Sequence, residues 1–237
     1  MWARIKHRLV DDWKRWCTTP PRRWRPAWLP RRLPLRRESD LHPHCPAERA
    51  AEFLSYDGIA TEIEVLNWLH ATVCLIKPTH VLETGAAHGL GTLALAAACR
   101  DNGAGHVHAL EIEPQSAIQA QRRLRRANLA AWATVHEADS RVWLEETALE
   151  FGFGFFDSLT TLRVEEFEIC LRCGRLLGPA VFHDTSVWRS LTRTDEPGEM
   201  QSEYRRKLEV VARDARCSGV WEQNLSRGLF VWWPRCG

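Results

Sequence analysis

The segment Val81 to Arg100, VLETGAAHGLGTLALAAACR, gathers the residues best suited to hold a ligand. An apolar run ends at Glu83, then Gly85, Gly89 and Gly91 follow, and an alanine-rich stretch with helical character begins. A glycine loop between strand and helix lets the backbone approach a bound molecule closely, and its spacing can be tested against known ligands. A nucleoside triphosphate needs G-x-x-x-x-G-K-[ST]; no lysine follows Gly89 or Gly91, so that reading fails. A dinucleotide needs G-x-G-x-x-G directly at the strand end, but from Gly85 the second and third positions are Ala87 and Leu90. The register Gly89, Gly91, Ala94 fits G-x-G-x-x-A, yet it leaves Gly85 to His88 as an unexplained insertion. The dinucleotide reading is weak.

Other chemistry-bearing residues fall at the ends of strand-like segments. Glu111 closes HALEIEP, where a carboxylate can reach ribose hydroxyls, and Asp139 closes HEADS. The plain alternative for each is a helix N-cap or a solvated strand end. Cys170 and Cys173 form a CxxC, but no second pair or nearby histidine completes a zinc site, and the pair does not open a helix after a strand. Half-buried helix positions account for both. The eight cysteines are spread along the chain and do not read as a disulfide framework.

The elements that must position these residues follow from patterning. From about Pro46, helical and strand patterns alternate: Ala60 to Ile76 as a helix with Ile63, Leu66, Trp68, Leu69, Val73 and Leu75 available for burial, then HVLET, GLGTLALAAACR, HVHALEI, PQSAIQAQRRLRRANL, WATVHEA, SRVWLEETALE, FGFGFFD, RVEEFEICLRCGRL, GPAVFHD and EMQSEYRRKLEVVARDA. SGVWEQNL and GLFVWWP close the chain as a hairpin. Such alternation predicts an α/β fold, a mostly parallel seven-stranded sheet with helices on both faces and an antiparallel C-terminal hairpin.

Residues 1–45 differ. Residues 1–37 hold twelve Lys/Arg against two Asp, whereas the remainder holds twenty basic and twenty-eight acidic residues. Trp2, Ile5, Leu9, Trp13 and Trp16 form one stripe of a basic amphipathic helix, and the proline-rich TTPPRRWRPAWLPRRLPLRR that follows reads as extended. Such an arm suits an anionic membrane surface or an acidic partner; its tryptophans could equally patch the core. No apolar run is long enough to span a bilayer and the N-terminus lacks the apolar stretch of a signal peptide, so a cytoplasmic protein, peripheral to the membrane at most, is expected. Two domains are expected: the arm, 1–45, and a catalytic domain, 46–237. The sequence carries no signal for a particular oligomeric state, a homo-oligomer included.

The segment E-T-G-A-A-H-G-L-G-T resembles motif I of the class I S-adenosylmethionine (SAM)-dependent methyltransferases, an acidic residue followed by G-x-x-x-G-x-[GS]-[ST]. KPTHVLETGAAHGLGT, FFDS, LLGPAVFHDT and SRGLFVWW, taken in order, are similar to small bacterial O-methyltransferases of the macrolide-sugar and cephalosporin-hydroxylase-like groups, over roughly Tyr56 to Pro234. The resemblance implies a Rossmann-like doubly wound sheet and SAM as cofactor. It implies a cofactor loop of Glu83, Gly85, Ala87, Gly89, Gly91 and Thr92, with Glu83 facing the cationic end of the ligand, Glu111 at the ribose and Asp139 by the adenine. In metal-dependent members an Asp after the fourth strand and an acidic pair after the fifth hold a divalent ion, which implies Asp157, His183 and Asp184 as metal and catalytic residues, with Mg2+, or Mn2+ or iron given the histidine. One position departs: relatives often read D-G-x-H, whereas this chain reads Asp157-Ser158-Leu159-Thr160-Thr161-Leu162-Arg163. His183 then becomes the candidate base of a metal-independent variant. The expected activity is methyl transfer to a hydroxyl of a small acceptor, sugar or natural-product-like. The competing reading is a non-catalytic SAM-fold binding protein recruited through its arm. An acidic body argues against nucleic acid as substrate.

Overall fold

The computed structural model describes residues 28–29, 35–37, 54–56, 61–186, 199–223 and 227–235. The predicted amphipathic helix of the arm, most of its proline-rich stretch and the segment Val187 to Gly198 lie outside these residues.

In chain order the strands are β1 (Leu35–Arg37), β2 (Leu54–Tyr56), β3 (His80–Thr84), β4 (His106–Glu111), β5 (Ala133–Glu137), β6 (Phe153–Phe156), β7 (Ala180–His183), β8 (Cys217–Gln223) and β9 (Leu229–Pro234). The helices are α1 (Ile63–Ile76), α2 (Leu90–Asn102), α3 (Pro114–Arg126), α4 (Ser140–Glu146), α5 (Arg163–Arg172) and α6 (Glu199–Ala212). Seven strands form one sheet in the order β5-β4-β3-β6-β7-β9-β8. β3 to β7 pair in parallel, while β9 runs antiparallel between β7 and β8. The doubly wound α/β expectation is met, with the hairpin strand β9 inserted beside β7 and β8 left at the edge.

Strand alternation sorts the core into two layers. Val81, Val107, Ala109, Phe153, Phe155 and Val181 pack with α1, α2 and α3 on one face. Leu82, Leu110, Phe156, Phe182 and Trp232 pack with α4, α5 and α6 on the other. Successive residues of a strand point to opposite faces, so a strand covered on both sides reads as a continuous apolar run.

Local causes set the helix ends: α1 closes at Ile76 as expected, while α4 stops short of the expected Glu150. α1 ends at Lys77, which takes a left-handed conformation (φ 54°) and returns its N–H to Val73 O, and Leu75 lies on the face away from the core, 81% exposed. α4 stops after Glu146 because Thr147 is extended (φ −65°, ψ 145°). β1 pairs antiparallel with β2, Leu35 opposite Tyr56, joining backbone on either side of the expected boundary at residue 45. Trp28 is 7% exposed in the α1–α3 layer and stacks on His70 at 5.9 Å, so one tryptophan of the arm does patch the core. Cys170 and Cys173 are free, the first buried within α5 and the second half-buried at its C-terminus.

Candidate active site

Strand order reverses between β3 and β6, and loops leaving the carboxyl ends of parallel strands at such a point diverge to open a crevice. A cavity of about 390 Å³ lies there, walled by Gly85 and Ala87 after β3, Glu111 and Ile112 after β4, Asp139, Ser140 and Arg141 after β5, and Asp157 and Ser158 after β6. Its size suits a small organic ligand.

The glycines divide the work. Gly85 (φ +76°) is at the cavity wall, and a Cβ there would meet Asp157 O and Ser158 Cα at 2.6 Å, so only glycine lets the β3 and β6 loops pass this closely. Gly89 and Gly91 serve packing: a Cβ on Gly89 would strike Ala120 Cβ of α3 at 2.7 Å, and one on Gly91 would strike the Glu83 carboxylate. Glu83 is therefore not brought to the cavity. It is buried beneath α2, accepts the Thr92 hydroxyl at 2.5 Å, and burial pushes its pKa up to about 8, so it is largely neutral at pH 7 and offers no charge to a cationic ligand.

Glu111 sits where a ribose carboxylate is expected. Oε2 accepts the N–H of Ala87 at 2.6 Å and Oε1 that of Glu113 at 2.8 Å, and each oxygen keeps a second lone pair for a ligand hydroxyl. Asp139 is at once an N-cap and a cavity residue: it accepts the N–H of Arg141 at 2.9 Å, and the Arg141 guanidinium at 2.9 Å holds its carboxyl below the usual range. Behind this wall Glu166, fully buried, accepts the hydroxyls of Thr84 (2.7 Å), Ser158 (2.7 Å) and Ser140. Ser140 and Ser158, held by Glu166, also line the cavity. The wall thus offers acceptors suited to the hydroxyls and amine of a nucleoside, which fits the adenosyl part of SAM.

Asp157, His183 and Asp184 are brought together, their ligand atoms all within 4.8 Å of one another. Proximity alone does not make a metal site. His183 Nδ1 is 2.8 Å from Asp157 Oδ1 and Nε2 is 2.7 Å from Glu62 Oε2, so both ring nitrogens donate to carboxylates. Arg163 bonds Asp184 Oδ2 at 2.8 Å, Asp157 Oδ1 at 3.0 Å and the carbonyl of Ser158 at 2.8 Å. Arg227 bonds Asp184 Oδ1 at 2.8 Å with Nε, and its backbone N–H reaches Glu62 Oε1 at 2.7 Å. Three carboxylates thus face three cations in one buried cluster.

The electrostatics follow. Burial by itself would lower the imidazole pKa of His183, but the carboxylates of Asp157, Asp184 and Glu62 outweigh it and push it up to about 10. Burial would raise Asp184, yet Arg227, His183 and Arg163 hold it below the carboxylate range; Glu62 is likewise lowered against its burial, by His183 and Arg227.

Two expectations meet this geometry. Both ring nitrogens of His183 are engaged by carboxylates, which favour its charged form, so in this arrangement it directs no lone pair at an acceptor or an ion. Asp157 and Asp184 already hold guanidinium groups where a divalent ion would sit, and a further double charge in a compensated buried cluster is unfavourable. The residues present do not fit a resident metal. Arg163, in the segment where relatives carry the D-G-x-H histidine, supplies much of that internal charge. Glu62, Arg163, Glu166 and Arg227 had no assigned role in the sequence; the departure at Arg163 and the SRGL segment containing Arg227 were the available signals. Asp157 alone of the cluster reaches the cavity wall, 15% exposed, with Thr61 donating to its Oδ2 at 3.1 Å.

No helix among the described residues is long and apolar enough to cross a membrane. Residues 82–185 match a family model described as a methyltransferase domain. No curated protein matches the chain in sequence. Among solved structures, the fold is similar to TomG, an O-methyltransferase of Streptomyces achromogenes involved in tomaymycin synthesis and solved with SAM, at 21% identity and TM-score 0.64, covering 80% of this chain and 87% of that one. It is also similar to an O-methyltransferase of Bacillus cereus in complex with S-adenosylhomocysteine (SAH), at 21% identity and TM-score 0.62, covering 74% of this chain and 83% of that one. The SAH-bound methyltransferase PaMTH1 of Podospora anserina aligns at 16% identity and TM-score 0.63, covering 75% of this chain and 80% of that one. Residues 82–185 thus carry the pattern of a methyltransferase domain, and the fold around them is similar to that of SAM- and SAH-bound methyltransferases.

Proposed function

We propose that the protein transfers the methyl group of SAM to a hydroxyl oxygen of a small acceptor, without a resident divalent ion. The observation that carries this reading is the switch-point cavity, with Glu111 and Asp139 on one side and the Asp157 carboxylate on the other. The O-methyltransferases among the structural neighbours support the choice of oxygen as nucleophile.

When bound, SAM supplies an electrophilic methyl group on a sulfonium that leaves as a neutral thioether. Glu111 accepts ribose hydroxyls, and Asp139, Ser140 and Ser158 present acceptors to the base. Asp157, fixed by Arg163, His183 and Thr61, accepts the hydrogen bond of the acceptor hydroxyl, aligns its oxygen and receives its proton as the new O–CH3 bond replaces the S–CH3 bond, passing it on to water with the product; holding reactants in line supplies much of the rate in such a displacement.

Calorimetry with SAH, beside NAD and on Glu111→Ala, tests the cofactor, and labelled SAM with a panel of hydroxylated acceptors in the presence of chelator tests the reaction. SAH binds, NAD does not, and Glu111→Ala weakens SAH by roughly tenfold or more, the worth of a charge-assisted hydrogen bond. Binding of NAD in place of SAH, or turnover abolished by chelator, overturns the reading.

A further inference from the structure

Four histidines outside the cavity share one region of the sheet. His80 opens β3, His106 and His108 lie on β4, and His136 lies on β5, all partly exposed. His80 Nδ1 is 3.3 Å from His108 Nε2, and His108 Nδ1 is 3.3 Å from His136 Nε2, a ladder running diagonally across three adjacent strands. The rings of His108 and His136 stack at 5.5 Å, with Trp143 at 4.8 Å from His136 and Phe151 at 6.0 Å from His108 forming an aromatic wall. His106 stands beside the ladder, 5.1 Å from His108 between ring centroids, with Nε2 2.9 Å from the Thr134 hydroxyl.

We propose that this histidine ladder binds one borderline divalent cation of the zinc and copper class. Two imidazole nitrogens holding such an ion tetrahedrally at about 2.0–2.1 Å are separated by about 3.3–3.4 Å, the spacing that both contacts already have. Each neutral imidazole offers one lone pair and one N–H. An ion between His80 Nδ1 and His108 Nε2 leaves His108 Nδ1–H directed at His136 Nε2, and an ion in the other seat leaves His108 Nε2–H directed at His80 Nδ1. Either way one ion binds without any ring losing a proton, and the remaining contact becomes the hydrogen bond that orients a metal-bound imidazole. An all-nitrogen donor set selects zinc, copper or nickel over magnesium or calcium. Partial exposure lets water fill the remaining coordination positions.

The test uses the full chain without a histidine tag. Calorimetry with Zn2+ and with Mg2+ is run on the wild type, His108→Gln and His106→Gln, and electron paramagnetic resonance is recorded with one equivalent of Cu2+. The wild type binds Zn2+ and not Mg2+, Cu2+ shows nitrogen superhyperfine splitting, and His108→Gln, which breaks both seats, weakens Zn2+ by roughly tenfold or more. His106→Gln retains binding. Circular dichroism establishes that the variants are folded; should His108→Gln not fold, His80→Gln with His136→Gln removes a nitrogen from each seat and serves in its place. Unchanged Zn2+ affinity in the folded ladder variant, or a Cu2+ spectrum with oxygen ligands only, overturns the proposal.

Discussion

An imidazole with a carboxylate on each nitrogen, as His183 has in Glu62 and Asp157, gains more from its charge than burial takes away. Its pKa rises from the ordinary 6.5 to about 10, which fixes the sign of its contribution to stability. Because the folded state holds the proton more tightly than the unfolded one, this contribution is complete below pH 6.5 and is lost as pH climbs toward about 10. Glu83, raised by burial from 4.5 to about 8, also costs stability as pH rises, but only up to about 8. Above pH 8 the buried thiols of Cys99 and Cys170, which burial also raises, lower stability as well, but they do so equally in the wild type and in His183→Gln, so the difference between the two proteins isolates His183. Urea midpoints of the wild type fall more steeply from pH 8 to 10 than those of His183→Gln, which are lower throughout; equal slopes in the two proteins show that His183 does not carry a proton. The sequence put His183 beside Asp184 correctly and read it as a base or ligand, because the type of a residue says nothing about its partner 121 positions away, Glu62.

At the level of elements, the first turn of α5 organises the far wall of the cavity. Glu166 draws together hydroxyls from the end of β3, the start of α4 and the loop after β6, so three elements share one buried carboxylate. If Ser140 and Ser158 face the cavity as acceptors because Glu166 takes their protons, the site prefers an exocyclic amine to a carbonyl on the purine. Wild-type protein then binds SAH more tightly than its inosine counterpart, and Glu166→Gln, whose amide can donate to the serines, narrows that preference by about tenfold, the worth of roughly one hydrogen bond. Competition calorimetry with the two ligands measures it, and an unchanged preference with weaker binding of both assigns Glu166 a purely structural role. The strands and the carboxylates at their ends were legible because each is a local pattern: HVLET, HALEIEP and HEADS announce themselves within a few residues. Glu166 was not, since RVEEFEICLR shows Glu165 and Glu166 side by side, and only the packing of α5 on the sheet makes the second buried and the first exposed.

Across the whole molecule, the ionic cluster is where distant parts of the chain meet. Glu62 precedes α1, Arg163 begins α5, Asp184 follows β7 in a left-handed conformation (φ 61°), and Arg227 precedes β9, with 165 positions between Arg227 and Glu62. Removing one member of such a buried set leaves charge without compensation and costs about 3–5 kcal/mol. Arg163→Ala is expected to lose that much in urea unfolding, and it also frees Asp157 and Asp184 from the guanidinium they share. Arg163 and a divalent ion are thus alternative occupants of the same carboxylates, and ligand binding to the folded state alone raises stability in proportion to its affinity. Millimolar Mn2+ therefore restores part of the lost stability of Arg163→Ala while leaving the wild type unmoved. Stabilisation of the wild type to the same degree returns the cluster to the role of a metal site; a response confined to the variant identifies Arg163 as the internal cation that makes a metal unnecessary.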